Sequence, residues 1–338
     1  MRNLSEKDLK LLIVISVSLL ISLLIYIHFF LLKDMNDKET TFEKKQGNNS
    51  EIPKMHLTAG TTSKIISASK GEEKLMEVSG KEIVPKEEAL NNDGALDQLK
   101  INAHLDNIFK EPRVPIIDKN KFHSTFGRKV VFIYSSHNRE SFLPYFKKGT
   151  APEMSYHSKF NVTLVGDRLG NVLKQNGIGN RVSDVDIISI LGERDLDFGS
   201  SYQLSREIVL NEMKFNPDLE MNFDIHRDSL PRNLSTTTIN GNTYAKISFV
   251  IGSSHENYEE NLKFTNSIND MIEKSYPGLS RGVIIKSSEQ GNGVYNQDLS
   301  PNSVIIEIGG VENRIDELYR TADLLGNVIS EYYWQTVH

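Results

Sequence analysis

Lys129–Phe142, KVVFIYSSHNRESF, is the stretch whose reading decides the fold. Val130, Val131, Phe132, Ile133 and Tyr134 make an uninterrupted β-branched and aromatic run, the pattern of a strand buried on both faces. The run stops at Ser135-Ser136, and His137, Asn138, Arg139 and Glu140 follow. Polar side chains just past the carboxyl end of a buried strand stand where open α/β sheets place their ligands. Across one turn, His137 and Glu140 can aim an imidazole nitrogen and a carboxylate oxygen at one point. That is two-thirds of a His2Glu metal site, and the second His has to come from elsewhere in the chain.

Downstream, helices and strands alternate. Val162, Val165, Leu169, Val172 and Leu173 have helical spacing, closed by Asn176-Gly177. Asn180–Ile188 reads as a short strand. A second helix carries Tyr202, Ser205, Ile208, Val209 and Met213 and stops at Pro217. Leu219–Ile225 reads as a strand ending at His226, and Ala245–Gly252 as another. Glu256–Ser275 is a helix ended by Tyr276-Pro277-Gly278, and Arg281–Lys286 and Ser303–Ile308 are further strands. Ile315, Leu318, Ala322, Leu325 and Ile329 mark the last helix. This alternation predicts an α/β fold: a mostly parallel twisted sheet with helices on both faces.

The N-terminal third reads differently. Leu11–Leu32 carries no formal charge apart from the titratable His28. As a helix rising ~1.5 Å per residue it matches the ~30 Å hydrocarbon core of a bilayer. It shows no polar face, and Lys33-Asp34-Met35-Asn36 offers no small-residue cleavage site, so the reading is an uncleaved anchor. Arg2, Lys7 and Lys10 before it outweigh Lys33 and Lys38 after it, which puts the N-terminus in the cytoplasm and the rest outside. The polar stretch after the anchor buries too little apolar surface to offset its ordering entropy. Three parts follow: 1–33 as cytoplasmic tip and transmembrane anchor, 34–120 as flexible extracytoplasmic stalk, 121–338 as the folded domain. Late in the stalk, Leu96, Leu99, Ile101, Leu105, Ile108 and Phe109 suggest a short amphipathic helix ended by Pro112 and Pro115. The chain has no Cys, so any transition metal must be held by His and carboxylate. A net charge of -6 and the lack of a basic stripe argue against nucleic acid.

Three strand ends carry polar groups: His137 with Glu140, then Asp224-Ile225-His226-Arg227-Asp228, then Glu307 inside SVIIEIGG. A carboxylate within Val304–Ile308 is costly to bury unless it is paired or sits by a metal. Taken alone, Glu307 fits a salt bridge to Arg227 or Arg281, and His226 fits an ordinary core or loop histidine. Together with His137 and Glu140 they fit one pattern of two His, one ligand Glu and one spare Glu. Asp224 or Asp228 can accept the outer N–H of a metal-bound imidazole. The alternative is a local Asp–Arg pair at the sheet edge. His157 and His255 compete as ligands but sit in polar stretches and read as surface residues.

The blocks YSSHNRES, DIHRDS, YPGLSRG and YNQDLSPNSVIIEIGG occur together from about Val130 to the last helix. They resemble the stage II sporulation protein P family of zinc cell-wall hydrolases. Glu307-Ile308-Gly309 with Asn313 and Glu317 also resembles the E-x-G…N…E signature of the wider N-acetylmuramoyl-L-alanine amidase superfamily. The resemblance implies a zinc-dependent amidase that cuts between the muramic acid lactyl group and L-alanine, with endopeptidase activity on cross-linked stems. It places His137, Glu140 and His226 on the metal-ligand positions and Glu307 on the catalytic glutamate. It implies peptidoglycan as substrate, membrane attachment, and a partner complex with a lytic transglycosylase during engulfment of the forespore. Ser136-His137 stands where the family often has Thr-His. Arg227 or Asn296 would then add to oxyanion stabilisation or grip the stem peptide, with Asp228 beside them.

Two rival readings remain. A non-catalytic peptidoglycan-binding or scaffold protein has no need of all four of His137, Glu140, His226 and Glu307. A metallopeptidase on protein substrates would carry an H-E-x-x-H helix, which is absent from the sequence.

Overall fold

The apolar run after Lys129 becomes a buried strand one place in from the edge of a seven-stranded sheet. The structure is a computed structural model that describes residues 65–66, 85–90, 93–103 and 123–336. All of them belong to the unit Ala59–His338. The anchor reading of Leu11–Leu32 lies outside the described residues, among which no helix is long and apolar enough to cross a membrane. In chain order the strands are β1 (Ile65–Ile66), β2 (Val131–Tyr134), β3 (Asn180–Val182), β4 (Met221–Asp228), β5 (Thr236–Ile239), β6 (Asn242–Ala245), β7 (Ile247–Gly252), β8 (Ser280–Lys286) and β9 (Ser303–Gly310). The helices longer than one turn are α1 (Gln98–Ala103), α2 (Thr163–Gln175), α3 (Ile187–Glu193), α4 (Ser201–Phe215), α5 (Tyr258–Ser275) and α6 (Ile315–Thr336).

The main sheet has the order β1-β8-β7-β9-β4-β2-β3, and β5 with β6 forms a separate hairpin. From β3 through β2 and β4 to β9 all pairings are parallel. β7 then runs antiparallel to β9, with β8 parallel to β7. The reversal follows from the connection after β4. The chain turns through the β5–β6 hairpin rather than a crossover helix, and re-enters beside the carboxyl end of β9, where Ile247 pairs with Ile308. Asn240 and Gly241 make that hairpin's turn with φ of 49° and 79°, the left-handed pair that a two-residue loop requires.

Alternation along the strands divides the core. On one face Ile133, Phe223, Ile225, Phe249, Ile306 and Ile308 join α2, α5 and α6 in the main apolar cluster. On the other, Phe132 and Tyr134 meet Val209 of α4, while Val250, Ile284, Ile305 and Tyr295 pack with Tyr202. The second face is thinly covered, and its carboxyl edge carries the polar residues.

Two boundaries differ from the sequence reading. Asn180–Ile188 is not one strand: β3 ends at Val182, and Asp186 caps α3 by accepting the Ser189 N–H at 3.2 Å. The folded unit also begins before Lys121. Leu96 pairs with Phe146 in an antiparallel bridge, Asp97 N donates to Tyr145 O at 2.8 Å, and Lys147 N donates to Ala95 O at 3.0 Å. Part of the stretch read as stalk is therefore folded onto the domain.

At the end of β9, Gly309 has φ of 73°, and an added Cβ would lie 2.7 Å from Leu318 Cδ2 and 2.9 Å from Asn313 Oδ1. Gly309→Ala combines a left-handed penalty with overpacking and should destabilise the domain by about 2–4 kcal/mol. The urea midpoint measures this; an unchanged midpoint would show that the turn relaxes freely.

Candidate metal centre

His226 is not at a strand end but inside β4, where its pairing is fixed. The β4–β9 register sets His226 beside Glu307, and β7 sets Ser248 on the other side of Glu307. β2 pairs with β4 through Tyr134 and Asp224, so the turn following β2 folds over His226. Within that turn Glu140 N donates to His137 O at 3.0 Å, bringing both side chains to one side. His137 Nδ1 lies 3.7 Å from Glu140 Oε1, and His226 Nδ1 lies 3.5 Å from Glu140 Oε2. One donor atom from each of the three lies within 4.8 Å of the others, and all three residues are buried. Two ligands about 2.1 Å from a tetrahedral zinc ion are about 3.4 Å apart, so the trio fits such an ion.

The outer side of His226 is committed. Nε2 lies 2.9 Å from Asp224 Oδ1 and 2.9 Å from Ser136 Oγ, and Ser136 N donates to the same Asp224 oxygen at 2.8 Å. An ionised carboxylate only accepts, so Nε2 carries the proton and Nδ1 is the nitrogen turned to Glu140. Asp224 and Asp228 had been alternatives for this role, and Asp224 fills it. D-x-H along a strand puts both side chains on one face.

Charge around the trio follows from burial and neighbours. Burial acts against charging the His226 ring, yet Asp224 and Glu140 outweigh it and hold the ring protonated well above the usual histidine range. Burial likewise opposes ionising Glu140, but His226, His137 and Arg227 keep it well below the usual carboxylate range. Arg227 N donates to Glu140 Oε2 at 3.0 Å. Glu307 goes the other way: burial and the neighbouring Asp228 charge push it up to about 8. Its Oε2 is shut off from solvent and has no hydrogen-bond partner among the described residues. Neither arginine suggested for it is its partner. The orphaned oxygen beside three converging donors suits a divalent cation nearby.

The structure places the remaining candidates away from the chemistry or in supporting positions. Arg227 sends its guanidinium to Ser141 O at 2.9 Å and over the Tyr156 ring, because neighbours along a strand point to opposite faces. Its backbone N–H bonds Glu140 directly, while its guanidinium acts on that carboxylate only through its charge. Asp228 pairs with Arg281, which also donates to Ser248 Oγ at 2.6 Å. Asn296 is buried and donates to Ser205 Oγ at 2.9 Å and Tyr202 O at 3.2 Å, bracing α4. Asn313 and Glu317 stand behind the turn after β9: Gly310 N donates to Asn313 Oδ1 at 2.8 Å, and Glu317 takes Arg232 and Asn313. His157 is not a surface residue. It is buried, and its Nδ1 accepts the N–H groups of Lys159 and Phe160, each at 3.0 Å. His255 is half-buried in the loop after β7, remote in sequence and strand position from the trio.

Sequence reasoning missed the aromatic wall of the site. Phe198 and Tyr202 lie 4.5 Å and 5.2 Å from the His137 ring, centroid to centroid. They precede or open a helix and carry no spacing that would point to His137.

A family model described as stage II sporulation protein P matches residues 33–330. The stage II sporulation protein P of Bacillus subtilis (strain 168) is 46% identical over 211 residues, covering 62% of this chain and 53% of that protein. The chain thus spans about half the length of the curated relative it matches. Among solved structures, the CwlD amidase from Clostridioides difficile in complex with the GerS lipoprotein gives a TM-score of 0.39 at 11% identity, over 62% of this chain and 100% of that one. Cwp6 from Clostridium difficile gives 0.37 at 12% identity, over 63% and 30%.

Asp224→Asn keeps shape but loses the charge behind His226, and should weaken zinc binding about 10–100-fold while leaving the domain folded. Because the metal-free ring keeps its proton, binding has to expel it, and affinity should rise with pH. Without Asp224 the ring lets go sooner, so that rise should move to lower pH. Chelator competition across pH measures both; a pH-independent affinity would contradict the proton-holding role of Asp224.

Proposed function

The chain belongs to the stage II sporulation protein P family, and on that premise we propose that it is a zinc-dependent peptidoglycan amidase of sporulation. Its bond is the amide between the muramic acid lactyl group and L-alanine, with stem cross-links as a second target. The observation that carries the reading is the buried trio His137, Glu140 and His226 set one strand away from the unpaired Glu307.

Zinc held by that trio would supply a Lewis acid and a water of lowered pKa. His137 and Glu140 come from one turn and His226 from β4, so the holding groups converge from two segments. Asp224 and Ser136 fix the tautomer and plane of His226. Glu307 is the group left to move a proton. It takes one from the attacking water and hands it to the departing amine of L-alanine. Its raised pKa in the metal-free protein falls when positive charge settles nearby, which returns it to the basic form. Phe198 and Tyr202 wall the site beside His137 and help to exclude water. Asn296 and the Arg227 guanidinium hydrogen-bond elsewhere, so in this reading they support the site rather than grip the substrate.

The same proposal includes attachment by Leu11–Leu32 with the domain outside the cytoplasm, and work alongside a lytic transglycosylase in a membrane complex. Protease added to intact protoplasts should remove the domain; protection until lysis would reverse the orientation.

Ligands and base should fail differently. His137→Ala, Glu140→Ala and His226→Ala should lose metal and activity together. Glu307→Gln should stay folded and keep about one zinc, while release of new L-alanine amino ends from purified wall falls ~10²–10⁴-fold. Near-normal cleavage by Glu307→Gln would remove the proposed base. Zinc loss there with metal retained in Glu140→Gln would mean that the two glutamates exchange roles.

A further inference from the structure

We infer that residues 87–90 and 93–97 are a strap that positions the metal-binding turn, with Arg139 as the residue through which it acts. The inference rests on the proposed metal centre and assigns no new ligand to it. Arg139 stands between the two holding residues of the turn, so whatever fixes Arg139 fixes His137 and Glu140. Its Nε lies 3.0 Å and 3.1 Å from the two Asp186 oxygens, and Nη2 lies 2.7 Å from Oδ2. Asn138 Nδ2 donates to the same carboxylate at 2.9 Å, and Asn138 Oδ1 accepts the Ile188 N–H at 3.3 Å. Asp186 thus ties the turn to the start of α3. The remaining arm of the fork, Nη1, donates to the backbone carbonyl of Leu90 in the strap. One guanidinium therefore joins the strap, α3 and the turn.

The strap also reaches the turn by a second route. Residues 155–162 run beside it: Ser141 N donates to Ser155 O at 2.9 Å, His157 N to Arg139 O at 2.8 Å, and Val162 N to Glu140 O at 2.8 Å. Asp93 in the strap clamps that neighbour. It accepts the Ser158 N–H at 2.9 Å and the Ser158 hydroxyl, and its carbonyl lies 3.2 Å from His157 Nε2. Since His157 Nδ1 accepts two backbone N–H groups, Nε2 carries the ring proton and donates to Asp93 O. Farther along, Lys147 Nζ donates to Gly94 O at 2.9 Å and Lys100 Nζ to Phe146 O at 2.7 Å. These contacts use backbone carbonyls and one short carboxylate, so a polar, tether-like composition still builds an ordered brace.

Zinc affinity of the full-length protein, by competition with a chromophoric chelator, tests this without relying on wall cleavage. Asp93→Ala should weaken affinity about threefold to tenfold. Arg139→Lys should weaken it about 10–100-fold, because an ammonium cannot span Asp186 and Leu90 as a planar fork does. The native chain has no Cys, so Ala95→Cys with Lys147→Cys introduces a single defined bond across the bridge. In the Asp93→Ala background the oxidised pair should restore affinity and the reduced pair should not. Thermal unfolding with chelator present identifies any variant that merely fails to fold. Equal zinc affinity in wild type, Asp93→Ala and both redox forms would overturn the strap. Absence of zinc binding in the wild type would instead refute the proposed centre.

Discussion

The register of β4 on β9 is the constraint on which the site depends. Parallel neighbours lie about 4.8 Å apart, so His226 opposite Glu307 sets an imidazole of the trio and a buried carboxylate side by side before any loop is placed. A slip of one residue in β9 would turn Glu307 into the face packed by Phe223, Ile225 and Phe249 and turn Ile306 and Ile308 out of it. The apolar residues on both sides of the sheet prevent that slip, because Ile306 and Ile308 belong to one cluster and Ile305 to the other. Hydrophobic patterning thus fixes the position of the buried carboxylate.

Burying so many ionisable groups is tolerable only because nearly every one is answered. Asp224 meets His226 and the Ser136 N–H, Glu140 meets both imidazoles and the Arg227 N–H, and Asp228 meets Arg281. At the site itself, two carboxylate oxygens are left without a hydrogen-bond partner among the described residues, Asp224 Oδ2 and Glu307 Oε2. An unmet buried acceptor costs about 1–3 kcal/mol. Carrying this beside three converging donors is the signature of a site arranged for a charge that the chain itself does not supply.

Much of this was legible in the sequence, and the exceptions have identifiable physical causes. β2, β4 and β9 announce themselves because strands buried on both faces need continuous apolar runs, and a polar residue inside such a run stands out. His226 and Glu307 were singled out for that reason, and His137 with Glu140 because they follow such a run at its carboxyl end. The direction in which Arg227 points was not, since it depends on which face His226 takes. Asn296 looked available because an amide in a loop gives no sign that α4 will claim it. Asp186 looked like part of a strand, yet its short acceptor serves a helix start and Arg139 together. Asn240-Gly241 between Thr-rich strands is a strong hairpin signal, and reading it would have anticipated the antiparallel entry of β7. The strap has only scattered apolar residues, Ala89, Leu90 and Leu96, too few to mark it as folded, and much of its hold comes from backbone carbonyls and the Asp93 carboxylate.

The centre divides into a rigid half and an adjustable half. His226 and Glu307 ride on adjacent strands of the main sheet, where the ladder and two apolar clusters resist displacement. His137 and Glu140 ride on an irregular turn, whose placement comes from side-chain bonds to Asp186, from the neighbouring Ser155–Val162 segment and from the strap. Moving the turn by even 1 Å would spoil a set of donors that must sit near 3.4 Å from one another, while leaving the sheet intact. Two of the three converging donors therefore depend on contacts that the sheet itself does not make. Asp186, the Ser155–Val162 segment and the strap all reach that turn from outside the sheet, so its placement can change while β4 and β9 stay in register.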